Sequence, residues 1–480
     1  MKNNLTKILV FSLILMAVNS VVYAQESNTL QFMKGMPQSN LLNPALHNDS
    51  SKVIIGFPGL SGLYADFNSG FAVDDVIHKG TGSLADSLVL DIEGFHNALK
   101  STNTMEQNFS LPLFYLGIRG KKSFFSLGIT EKEQTRFAFD KNLVTFIKGG
   151  NASYMGQNYD LGDISMNSYQ YMEVALGYSN ELIKNKLTVG LRAKALLGRF
   201  AMQTERMKLK VETAADGSYL NLSSDMKINL SAPVTPEYDE EGYFSGMNTD
   251  ELDDPMNFIF VQGNMGMAFD LGAVYKLTPK ITLSGSIVDL GKISFKEDVI
   301  SLNHVSNYKW EGIDFSKSID ESQEDYVDPA DLVDEEMEKI EDSFRPKKSE
   351  IGSEPFDMSI PTKIYLGGTY SVNDKFSVGL LDRIYKNGDF SQNALTLSAN
   401  TLIGNFLSLT GSYSMIGNSN NNLGLGMAVR LGFMQIYVVG DNVLAAADPA
   451  KATFVNARFG MNFLFGRHKK PFISEQQPIQ

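Results

Sequence analysis

Val455-Asn456-Ala457-Arg458-Phe459-Gly460-Met461-Asn462-Phe463-Leu464-Phe465, close to the end of a 480-residue chain, sorts its side chains by parity. Val455, Ala457, Phe459, Met461, Phe463 and Phe465 share one face, while Asn456, Arg458, Gly460 and Asn462 lie on the other. A period of two is the period of a strand, and aromatics at the end of an otherwise apolar face mark the interfacial girdle of a strand that crosses a membrane. The same split recurs upstream. Leu187, Val189, Leu191, Ala193, Ala195 and Leu197 alternate with Thr188, Gly190, Arg192, Lys194 and Gly198. Met265, Met267, Phe269, Leu271, Ala273 and Tyr275 oppose Asp270, Gly272 and Lys276. Leu407, Leu409, Tyr413 and Met415 oppose Ser408, Thr410, Ser412 and Ser414, and Leu423 to Leu431 repeats the pattern. A meander of such strands in lipid has to close, because an open edge leaves N–H and C=O groups with no water to meet them. The fold expected is all-β, a transmembrane antiparallel β-barrel with apolar residues outward and a wet interior.

The chain begins with a leader. Lys2 and Lys7 precede an apolar run from Ile8 to Val18 and small or β-branched residues before Ala24, the pattern of a cleaved signal peptide over residues 1–24. No later apolar run is long enough for a spanning helix. There is no Cys, which excludes an N-terminal lipid thioether, disulfide staples and thiolate metal sites. A net charge of -13 argues against nucleic acid as a partner, since phosphate binding needs a basic surface. The acids concentrate in two stretches, Pro236 to Pro255 and Asp314 to Asp357, while mean hydropathy is near neutral at -0.13. Together these place the protein in the outer membrane of a Gram-negative cell, in contact with its lipid.

Connections fall into two sizes, as in barrels whose short turns face the periplasm and long loops face outside. Gly120-Lys121-Lys122, Thr278-Pro279, Asn373-Asp374 and Gly404-Asn405 are tight; the stretches at 233–257 and 317–360 are long acidic outer loops. Alternating runs between Lys52 and Phe465 number about fourteen. Met207 to Glu212 with Tyr219 to Leu230 reads as a hairpin projecting beyond the membrane. The expected organisation is a leader at 1–24, a non-alternating segment at 25–50, a barrel at 51–466 and a polar tail at 467–480.

That non-alternating segment carries Phe32-Met33-Lys34-Gly35-Met36-Pro37 and Leu41-Leu42-Asn43-Pro44-Ala45-Leu46 just ahead of the first strand. An Asn-Pro-Ala turn before a barrel of this strand number resembles the FadL long-chain fatty-acid transporter family. It is also similar to Bacteroidota barrels associated with type IX secretion, and to uncharacterised Bacteroidota outer-membrane proteins. The resemblance implies a small N-terminal hatch folded inside the barrel as a plug, with Asn43, Pro44 and Ala45 against the wall. It further implies transport of a small hydrophobic compound. The glycine-rich stretch that precedes the motif in fatty-acid transporters is missing here.

Charges on the polar phase are the remaining functional hint: Glu173, Arg192, Lys194, Asp270, Lys363, Arg383, Arg430 and Arg458. Inward charges line a water path or pair with a plug; both signs occur, which favours plug anchoring over a selectivity ring. None of the histidines, His47, His78, His96, His304 and His468, lies in a nucleophile or metal motif, so no enzyme, catalytic residue, metal or cofactor is expected; His304 near Ser301 is the only suggestive pair. In the second acidic loop, Asp328 caps a short helix with Pro329 in its first turn and a stripe of Leu332, Val333, Met337 and Ile340. Phe57, Leu60, Leu63, Phe109, Leu111, Phe114 and Phe124 crowd both phases of the early strands, as a greasy path or a plug contact would. Two functions follow: a channel for a small hydrophobic compound, or a non-transport surface or secretion-associated barrel whose acidic loops bind a protein partner. A general diffusion porin is disfavoured, because a plug and bulky inward residues close the pore.

Overall fold

A computed structural model describes residues 28–47, 51–82, 85, 87–250, 263–319, 326–388, 390–404, 406–416 and 419–467. The leader and cleavage point expected at residues 1–24, the acidic residues 251–257 and 320–325, and the tail beyond Arg467 lie outside them.

Fourteen antiparallel strands close on themselves. β1 is split into Ser51–Gly56 and Leu63–Ser69; β2 is Thr102–Arg119, β3 Ser123–Asp140, β4 Asn158–Ile183, β5 Leu187–Thr213, β6 Met265–Lys276 and β7 Ile281–Phe295. β8 is split into Phe356–Ser359 and Thr362–Ser371; β9 is Phe376–Asn387, β10 Phe390–Ile403, β11 Leu407–Ile416, β12 Ser419–Leu431, β13 Met434–Gly440 and β14 Phe454–Arg467. Closure is direct: Val53 faces Phe465 and Leu63 faces Phe459, so both halves of β1 pair with β14. The outward phase is apolar and open, with Met267, Leu271, Leu425 and Leu431 all at least half exposed. Among the described residues no helix is long and apolar enough to cross a membrane; the apolar band belongs to the strands, whose backbone groups are satisfied by neighbours, as lipid requires.

Two interruptions shape the wall. Between the halves of β1, Phe57 to Gly62 bows out of the ladder around Pro58-Gly59 while holding both neighbours, Phe57 N and Gly59 N donating to Met461 O and Pro112 O. On the lipid side the bow leaves an apolar hollow of about 370 Å³ beneath Leu60, floored by Met427, Ile436, Val438, Phe459 and Met461. The second lies at β6 and β7, where the register slips between Phe269 and Leu271 and Asp289 adopts φ +61°. A non-glycine residue in the left-handed region is uncommon, although aspartate tolerates it better than most.

Beyond the membrane the ladder continues. The outer half of β5, Ala201 to Thr213, pairs with Leu220–Ser231, and that strand pairs with Val299–Trp310. At about 3.3 Å per residue these twelve-residue strands project roughly 40 Å. The expected hairpin is therefore one part of a three-stranded outer sheet. The acidic helix expected in the second loop is present as Pro329–Ser343, with Asp328 accepting from Ala330 N at 2.8 Å.

Candidate functional site

Residues 28–47 sit inside the barrel at its short-turn end. Leu30, Phe32, Met33, Met36 and Leu42 are almost fully buried against inward-facing Val288, Tyr365, Leu381, Tyr437 and Val439. The sequence permits this because the wall is thin where the plug is thick. A Cβ on Gly190 would lie 2.5 Å from Pro44 O and 2.6 Å from Ala45 N; one on Gly272 would lie 2.8 Å from Pro44 Cδ; one on Gly379 would lie 2.5 Å from Phe32 Cδ1. Glycine within a strand marks such a close approach.

Polar ties fix the register of the plug. Asn43 Nδ2 donates to Ala273 O and Gly285 O at 3.3 and 3.2 Å, its Oδ1 caps Ala45 N at 2.9 Å, and Ser286 Oγ donates to Leu42 O at 2.6 Å. Gln38 and Asn462 exchange amide hydrogen bonds at 2.7 and 3.0 Å, and Gln38 Nε2 also donates to Ser61 O at 2.6 Å, in the bowed segment. His47 stacks on Phe124 at 5.4 Å, which turns that early aromatic into a plug contact. At the other end Asp441 accepts from Asn28 N at 2.8 Å, Thr29 N at 2.9 Å, the Thr29 hydroxyl and Asn456 Nδ2.

Above the plug the lumen is filled with charge. Lys194 contacts Asp270 at 2.8 Å, Glu173 at 3.6 Å and Asp289; Lys132 contacts Glu173 at 2.7 Å, and Lys363 contacts Asp289 at 3.0 Å. The left-handed turn at Asp289 brings its N–H to Asp270 Oδ1 at 2.8 Å, so the bulge is what places two carboxylates around one lysine. Arg192 joins lattice to plug, donating to Asp270 at 2.9 Å and to Asn40 O at 2.6 Å. Two small cavities of about 40 and 50 Å³ have mixed linings: Leu41, Pro112 and Phe114 stand beside Lys132, Glu173 and Arg192 in one, and Phe109 and Pro361 beside Asp66, Lys363 and Arg383 in the other.

Of the residues singled out by sequence, Asn43, Pro44, Ala45 and Arg192 meet at the plug, and Glu173, Lys194 and Asp270 form the lattice over it. Arg458 lies over the Tyr64 ring at 4.2 Å and donates to Gly62 O at 3.4 Å, beside the lower cavity. Arg383 lines the upper cavity with Asp66 and Tyr385 and reaches Gln392 at 3.4 Å. Arg430 donates to Gly432 O at the short-turn rim, one residue before its strand ends, and its cross-strand partner Gln435 donates to Gly35 O of the plug at 3.2 Å. His304 is held by Glu350 at 3.0 Å and Ser343 O at 3.2 Å, while Ser301 donates to Asn229, so the two form no pair. Lys132, Asp289, Asp441 and the wall glycines were missed; a run of strand glycines on the polar phase was the available signal.

A family model described as a family of unknown function (DUF5723) matches residues 44–441. No curated protein matches the sequence. Among solved structures, the Ralstonia pickettii toluene transporter TbuX is similar at 10% identity and TM-score 0.40, covering 94% of this chain and all of that one. The CymD monoaromatic hydrocarbon channel is similar at 10% identity and TM-score 0.39, covering 94% and 100%. The P. putida toluene transporter TodX is similar at 10% identity and TM-score 0.34, covering 93% and 96%.

Proposed function

The chain belongs to the DUF5723 family of unknown function, and from its own site we propose that it is a gated outer-membrane channel shut at rest by its N-terminal segment. One observation carries this: the plug occupies the short-turn end in glycine bays of the wall and is pinned by Asn43, Gln38 and Asp441, so a path exists only when it moves. The cargo proposed is a small hydrophobic compound. In support, withdrawing the plug uncovers the apolar wall patch of Val288, Leu381 and Val439. The bowed segment that holds Gln38 also bounds the apolar hollow on the lipid side.

Planar-bilayer recording tests the gate: wild-type protein is silent, and a variant lacking residues 28–46 conducts. A deletion variant that stays silent while keeping its heat-modifiable barrel refutes it. A second reading, a surface or secretion-associated barrel that binds a protein, is favoured by the ordered outer sheet and its acidic helix.

A further inference from the structure

The strand Val299–Trp310 forms a ladder with Leu220–Ser231 on one side only. On its other side, Ser301 and Leu302 pair with Ile351 and Gly352 and the pairing stops. From Asn303 to Trp310, eight residues have no further strand among the described residues. Proteins usually blunt such edges with proline, inward charge, brevity or a covering element. Here there is no proline, Val305 is 69% exposed, and the single charge, Lys309, is engaged by Glu311 at 2.5 Å.

The neighbouring helix covers a face, not the edge. Tyr308 donates to Glu336 at 2.6 Å and His304 meets Ser343 O, both from even-numbered positions, while Asn303, Val305, Asn307 and Lys309 stay exposed. That helix, Pro329–Ser343, carries seven carboxylates against one lysine, and Lys339 is already held by Glu335 and Glu336. Asp331, Asp334, Glu338 and Glu341 are exposed on the face of the helix opposite Glu336, the residue that meets the strand, so they charge its solvent side.

We propose that residues 303–310 form a docking edge for an extended, positively charged segment of another protein, which adds to the outer sheet as one more strand. Backbone hydrogen bonds to the edge left open among the described residues give such a complex its affinity whatever the side chains; the net negative charge of the adjoining helix favours cationic ones and speeds encounter. The inference names the mode of binding for the partner-docking reading and holds whether or not the barrel conducts.

The chain contains one tryptophan, Trp310, at the end of this edge, so its emission reports the site without labels. The full protein in nonionic detergent is titrated with four synthetic probes: a ten-residue alternating Lys-Thr peptide, its Glu-Thr counterpart, and two Lys-Thr peptides N-methylated at alternate residues of either parity. The expected result is a saturable change of Trp310 emission with the first, none with the second, and roughly tenfold or greater weakening for one N-methylated probe, which loses several backbone hydrogen bonds. Equal affinity of both N-methylated probes and the parent would reduce the contact to charge alone and overturn the proposal. An unchanged emission with the Lys-Thr peptide overturns it as well. Bilayer silence or conductance has no bearing on either outcome, so this test fails or succeeds apart from the gating test.

Discussion

Replacing Gly190 with valine should open the barrel without unfolding it. The added Cβ would stand 2.5 Å from Pro44 O, whereas nonbonded heavy atoms settle near 3.5 Å, so the Asn43-Pro44 turn must retreat by about 1 Å. The Asn43 bonds to the wall, at 3.3 and 3.2 Å, then stretch past the hydrogen-bond limit, and the Leu42 tie to Ser286 weakens with them. Each neutral bond is worth about 1 kcal/mol, so docking of the plug loses roughly 2–3 kcal/mol, or about 30- to 150-fold in its in/out equilibrium. Valine is a better strand residue than glycine, which keeps the barrel itself intact. The assay is the fraction of time open in planar bilayers, with barrel integrity read from heat-modifiability on gels. Gly411→Val is the control, since nothing lies within 4 Å of a Cβ there. If Gly190→Val is as silent as wild type while its N-terminal segment becomes protease-accessible, the plug is not the gate and the reasoning fails.

Asp441→Ala removes the acceptor of two backbone N–H groups and the Thr29 hydroxyl; at about 1.5 kcal/mol or more per charge-assisted bond, the N-terminal segment should be cut markedly faster in limited proteolysis, and an unchanged rate would show that the anchor is idle. Lys194→Met leaves Asp270, Asp289 and Glu173 short of their shared cation, a loss of about 3–5 kcal/mol, seen as a lower temperature for the heat-induced gel shift; adding Asp270→Asn should recover part of it, and no change in the single variant would contradict the lattice. His78, in an outer loop, has its pKa raised above the usual 6.5 by its hydrogen bond to the Lys79 carbonyl and by Asp91. A raised folded-state value stabilises the short outer hairpin that pairs Ile77–Lys79 with Leu88–Leu90 below the unfolded pKa, and the gain disappears as pH rises through the folded one. An NMR titration midpoint for His78 at or below 6.5 would rule this out.

Alternation made the barrel readable. Leu187 to Leu197 and Val455 to Phe465 have the phase that their parity implied, because lipid on one side and water or plug on the other enforce a two-residue period over whole strands. Features that break the period were hidden. The bow at Phe57 to Gly62 needed Pro58-Gly59 to be taken as a turn inside a strand rather than one between strands. Asp289 was not among the inward charges that alternation singled out; its importance comes from a left-handed backbone and a register slip that no alternation encodes. Arg430 has the expected phase at the short-turn rim, where its cross-strand neighbour Gln435, which alternation did not single out, donates to Gly35 O of the plug. Gly190 and Gly272 read as small residues on a polar face, and only the plug's position explains why a side chain is excluded there.

The bowed segment of β1 has a consequence for how the ring is put together. It lies at the seam, where the first strand meets the last, and Ser61 O there accepts hydrogen bonds from Gln38 of the plug and from Tyr437 of β13, one of the last strands made. A single carbonyl thus joins the N-terminal plug to the last strands of the barrel. Sealing the cylinder and seating its stopper are one event at that point, and a chain whose N-terminal segment is left outside would reach the membrane with its last joint incomplete.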